Sequence, residues 1–109
     1  MEDSMSDVPI LRVIEADERV ERFVRIAEAT VLVTDRRVAV GDGHRIALNV
    51  PFDGLRRIQF DVERRRPATM VLVPERPADE AQVITVQPEQ LEEVAHAVAI
   101  VGMRLAALD

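Results

Sequence analysis

The stretch that decides the fold is VTDRRVAVGDGHRIALNVPFDGLRRIQF, Val33–Phe60. Val38 and Val40 share one face, with Ala39 between them. Gly41, Asp42 and Gly43 supply the permissive backbone of a hairpin turn. The next run alternates again, with Ile46, Leu48 and Val50 on one face and Arg45, Ala47 and Asn49 on the other. Pro51 ends it, because proline has no N–H to give to a ladder, and Phe52–Gly54 turns a corner. The chain then returns with Ile58, Phe60 and Val62 expected inward and Arg57, Gln59 and Asp61 outward. A period of two over short runs bounded by turn residues is the signature of half-buried antiparallel strands.

Working outward, the same pattern continues on both sides. Upstream, Thr30–Thr34 is a β-branched run, and Val20, Val24 and Ile26 keep even spacing from Arg19 onward. Glu15–Glu18 reads as a polar turn and Met1–Asp7 as a disordered tail. Val8–Ile14 is apolar enough to dock, and a short helix and an edge strand fit it equally. Downstream, Glu63–Pro67 is a turn, and Ala68–Val73 and Gln82–Val86 are strands split by the loop Pro74–Ala81. After Pro88 the period changes, with Leu91, Val94, Val98, Val101, Leu105 and Leu108 stepping by threes and fours along one helix face. Proline suits a first helical turn, where its missing N–H costs nothing. Glu89, Glu92 and Glu93 near the start and Arg104 near the end match the helix dipole. Such a helix spans roughly 30 Å at about 20 residues.

The expected fold is therefore mainly β (α+β): six to seven antiparallel strands in a β-sandwich or partly open barrel, capped by one long C-terminal α-helix. Its stripe Leu91, Val94, Val98, Val101 and Leu105 is expected against Val31, Val33, Val38, Ile46, Leu48 and Ile58. Residues 1–14 form an N-terminal tail with a docked apolar segment, and residues 15–109 form the domain. At 109 residues there is material for one core and not two.

Composition narrows the function classes. Apolar residues make up 48% of the chain and charged residues 31%, which fits a globular protein. There is no Cys, so neither a disulfide framework nor thiolate chemistry is available, and a cytoplasmic location is expected. No apolar run is long enough to span a bilayer, and the acidic start MEDSMSD lacks the basic and apolar parts of a secretory signal. The net charge of −6 is uneven: residues 36–66 hold eight Arg against four acids, while residues 1–21 and 67–109 each hold seven acids against two Arg. Nucleic-acid binders pair a basic domain with aromatics that stack on bases. Here the chain is acidic and Phe23, Phe52 and Phe60 are its only aromatics, so no nucleic-acid partner is expected.

The order of these motifs resembles the bacterial pleckstrin-homology-like domains. In that family a strand ends in Thr-Asp-x-Arg, a further strand and a Gly turn follow, and the next strand runs into a Pro-containing corner. Here those features are VLVTDRRVAV, GDG, RIALNVP and FDGLRRIQF, preceded by the acidic lead-in Asp17–Val20 and followed by the helix QPEQLEEVAHAVAIVGMRLAAL. The resemblance covers about residues 15–108. It implies a barrel-like domain plugged by its C-terminal helix, and self-association through exposed sheet edges. The sequence departs from the family in one respect: the Thr-Asp-x-Arg strand, which often carries an aromatic there, is wholly aliphatic here.

The parts for catalysis are sparse. The only serines, Ser4 and Ser6, lie in the tail, and His44 and His96 have no partner at metal-ligand spacing, so neither a catalytic residue nor a metal or cofactor is expected. Two features carry functional readings. Arg64, Arg65 and Arg66 share one turn and Arg36 and Arg37 another. Together they could clamp an anion, or they simply keep strand ends wet. Alternation of turns places the two loops at opposite ends of a sandwich, which argues against a joint clamp and makes membrane binding an unexpected outcome. On the helix, Ile100, Met103 and Ala107 form a second apolar strip, which marks either an interface or a deeply sunk helix. The reading is a non-catalytic protein-interaction or assembly module whose partners are proteins, including itself as a homo-oligomer. The alternative is a domain for an anionic lipid headgroup or phosphate ligand, and a small enzyme comes third.

Overall fold

The computed structural model describes residues 9–26, 29–43 and 45–108. The expected tail Met1–Asp7 and His44 lie outside the described residues. Seven strands precede one helix: β1 (Val20–Ile26), β2 (Ala29–Thr34), β3 (Arg37–Asp42), β4 (Arg45–Pro51), β5 (Leu55–Asp61), β6 (Ala68–Pro74), β7 (Gln82–Val86) and α1 (Leu91–Ala107). They form two antiparallel sheets, β1-β2-β3-β4 and β5-β6-β7. The break falls at the 3-10 turn Phe52–Gly54, where Pro51 withdraws its N–H and the chain passes from one sheet to the other. The result is a sandwich with open corners rather than a closed barrel.

Between the sheets lies the main core, built from inward positions such as Val24, Val31, Val33, Val38, Leu48, Met70, Leu72 and Val86. Strands β2 and β3 are buried on both faces. Val31, Val33, Val38 and Val40 point into the sandwich, while Leu32 and Ala39 point outward beneath Ile10. This explains why Thr30–Thr34 is apolar without alternation. The cover is the 3-10 turn Pro9–Val13, the segment for which helix and strand fitted equally well, and its Ile10 is fully buried. Gly41 makes room for Thr30 on the neighbouring strand: a Cβ there would lie 2.7 Å from Thr30 Oγ1, but at an ordinary contact distance of 3.5 Å from Ile10 Cβ.

Three packing expectations are corrected. Ile46 stands at the start of β4 and is 40% exposed, outside the core. Val62 lies just past the end of β5, where pairing with β6 has stopped at Asp61, and is 61% exposed. The helix has 17 residues, after a separate 3-10 turn Pro88–Gln90, and its buried line is Val94, Ala97 and Val101, with Val98 and Leu105 only partly covered. Ala97 is buried in this line, while its neighbour Val98 lies on the flank of the packed face. Leu108 lies just past the helix and is exposed. The helix rests on β5, β1 and the corner turn rather than on β2 to β4.

Candidate functional site

The Thr-Asp-Arg-Arg turn is a closed ionic latch. Thr34 ends β2 fully buried, and its Oγ1 accepts the N–H groups of Arg36 and Arg37, each at 3.0 Å. The same hydroxyl donates to Glu18 Oε2 at 2.5 Å. Arg37 Nε also donates to that oxygen, at 2.8 Å, and the Glu15 N–H donates to Glu18 Oε1 at 3.0 Å. Burial alone would push the Glu18 carboxyl up, but these donors outweigh it and hold the group below its usual range. Arg36 reaches Glu15 at 2.9 Å and Asp17 at 2.8 Å. That guanidinium holds the exposed Asp17 carboxyl low.

Thr34 serves the turn, whereas Asp35 Oδ1 accepts the Arg19 N–H at 2.9 Å across the hairpin and is held low by it. The helix joins from the other side: Arg104 donates to Asp35 O at 3.2 Å and to Glu21 Oε2 at 2.8 Å, and its guanidinium lies 5.6 Å from the centre of the Phe52 ring. Arg36 and Arg37 are thus consumed by Glu15, Asp17 and Glu18, and every buried side-chain polar atom among the described residues has a partner.

Arg64, Arg65 and Arg66 stand in the β5–β6 turn, all exposed. Arg66 Nε lies 3.6 Å from Glu63 Oε1, a loose pair between exposed groups, and Arg65 sits in the left-handed region with φ 66°. Beside this turn is a cleft of about 400 Å³ with Val62, Pro67, Val86 and Leu91 along its wall and Arg65 and Arg66 at its rim. Leu91 begins the helix there, while Arg104 meets the Thr-Asp-Arg-Arg turn, so the helix separates the two arginine loops by roughly 20 Å at 1.5 Å per residue. On the helix, Ile100 is half-buried against the core, whereas Met103 is 73% exposed and Ala107 exposed.

The four sheet edges are not alike. β1 carries Glu21, Arg22 and Arg25 and a register shift. β4 carries Arg45 and Pro51. β5 carries Arg56, Arg57 and Asp61, and the helix packs against it. β7, Gln-Val-Ile-Thr-Val, has no charge, no Pro and no register shift, hydrogen-bonds only with β6 while β1 comes near it, and exposes Val83 to 68%. Charges, prolines and bulges are how sheet edges avoid pairing with other chains. A second opening near this edge, about 230 Å³, runs between Ile26, Ala29 and Gln82–Thr85. Sequence reading had treated β7 as an ordinary strand. The signal that marks it was visible as an absence of charge, but which strands are edges is decided by the topology. Among the described residues no cluster of His, Asp and Glu could hold a metal ion, and no helix is long and apolar enough to cross a membrane.

No family model matches the sequence, and no curated protein matches it. Solved structures do match the fold. A pleckstrin homology domain from Shewanella amazonensis superposes with a TM-score of 0.62 at 11% identity, covering 82% of this chain and 78% of that one. A PH-domain-containing protein from Exiguobacterium sibiricum gives a TM-score of 0.68 at 12% identity, covering 97% of this chain and 60% of that one. Two antiparallel sheets of four and three strands, joined through a proline corner and closed by one C-terminal helix, make this chain a pleckstrin-homology-like fold.

Proposed function

We propose that this chain is a non-catalytic interaction module that assembles with a second copy of itself through the edge of β7. The observation that carries the reading is the contrast among the four edges: among the described residues only β7 carries no charge, no proline and no register shift, although β1 comes near it. Two β7 strands related by a two-fold axis would pair antiparallel about Ile84, setting Val83 opposite Thr85 and joining the two three-stranded sheets into one of six. Each copy carries −6, so added salt screens their repulsion and favours the pair. Met103 and Ala107, with Ile100 partly withdrawn toward the core, are secondary contact candidates on the helix.

The test is sedimentation equilibrium across concentration and salt. The expected result is a mass approaching twice the 12.2 kDa chain, rising with salt, and a Val83→Lys variant that stays at 12.2 kDa with an unchanged melting temperature. A wild-type mass of 12.2 kDa under all conditions, or a Val83→Lys variant that pairs as well as wild type, overturns it.

A further inference from the structure

Arg65 is held in a backbone conformation that glycine would adopt freely, at φ 66°. Among the described residues neither Arg64 nor Arg65 has an ion-pair partner. A side chain kept at a strained position with no internal role points to a role outside the molecule. Arg65 and Arg66 rim a cleft of about 400 Å³ whose wall is mostly apolar, with Glu63, the loose partner of Arg66, and Gln87 also lining it. That volume falls in the range of ligand sites, and a few charged groups over an apolar floor is the usual arrangement of one.

We propose that this cleft takes a segment of a partner protein in which an apolar side chain is flanked by carboxylates. The apolar group would lie against Val62, Val86 and Leu91, and the carboxylates would meet the forked guanidinium groups of Arg65 and Arg66. Charge complementarity selects a peptide over an anionic membrane. Glu89, Glu92 and Glu93 stand exposed in the turns that open the helix beside the cleft, and a flat anionic surface would press against them. A peptide side chain entering the cleft need not. A free anion would leave the apolar wall without a use. The site is distinct from the β7 edge, and the two respond oppositely to salt: carboxylate binding weakens as salt rises, while pairing of like-charged copies strengthens.

The test is a titration of the whole chain, followed by two-dimensional amide NMR, with the acidic–apolar peptide GEDLLEDLG. The neutral peptide GQNLLQNLG, inorganic phosphate and phosphatidylserine vesicles serve as controls. Shifts confined to residues 62–68 and 86–91, weakening with salt and absent with the neutral peptide, are expected. Arg65→Gly should weaken binding about tenfold or more while melting at or above the wild-type temperature, because glycine relieves the strained backbone. The Val83→Lys variant should bind the peptide as wild type does, which separates this site from self-association. Absence of shifts at the cleft, full binding by Arg65→Gly, equal binding of the neutral peptide, or preference for phosphate or vesicles each overturns the proposal.

Discussion

Thr34 and Glu18 hold the first hairpin to the segment that leads into it. The threonine hydroxyl closes the β2–β3 turn by accepting two backbone N–H groups and donates a hydrogen bond to Glu18, whose other donors are Arg37 and the Glu15 backbone. The consequence is a pH dependence with a definite sign. The folded state depresses the Glu18 pKa, so the unfolded state binds the proton more tightly. The latch therefore stabilises fully above the unfolded glutamate value of about 4.3, and that contribution is lost as pH falls through the lower, folded value. Glu18→Gln should lower stability by about 1–3 kcal/mol near neutral pH and give a flatter stability curve in acid, measured by denaturant melts over a pH series. Parallel curves for the two proteins would show that Glu18 does not carry the acid sensitivity.

Among the elements, the helix tests how side-chain size sets packing. Its buried line runs through Val94, Ala97 and Val101, and its mid-helix Gly102 has open space where a Cβ would stand. Gly102→Ala should therefore add about 1 kcal/mol and raise the melting temperature by about 4–8 °C; a lower melting temperature would mean that this face is packed against something. The helix also shows what sequence could and could not give. Its existence and start were legible from the change of period after Pro88, but a stripe counted in large residues missed Ala97. The strands followed the same rule. Period two located β3, β4 and β6 well, but β5 stops at Asp61 and leaves Val62 exposed, because an alternating pattern does not mark where strand pairing ends. Burial of β2 and β3 on both faces depended on Ile10, far away in sequence, whose place no local pattern fixes. The salt bridges of Arg36 and Arg37 to the acidic lead-in were likewise non-local, and sequence had read those arginines as wet strand ends.

At the scale of the whole molecule, the fold sets two kinds of surface apart. One end of the helix is stitched to β1, the corner turn and the Thr-Asp-Arg-Arg latch through Arg104, and its charges are spent internally. The other end opens beside a mostly apolar cleft with Arg65 and the loosely paired Arg66 at its rim, and β7 is a neighbour through Val86. The order of motifs was enough to anticipate a pleckstrin-homology-like architecture, although the solved structures that share the fold are only 11–12% identical in sequence. The unguarded edge was not legible, since it depends on which strand ends a sheet. That edge is the centre of the functional account, and amide hydrogen exchange of β7 as a function of protein concentration tests it most directly. In an edge strand the N–H groups directed away from β6 exchange freely, and a second copy would protect them. The account predicts slowing with concentration confined to Gln82–Val86, and none in Val83→Lys; exchange independent of concentration in that strand, or slowing centred on another edge, would contradict it.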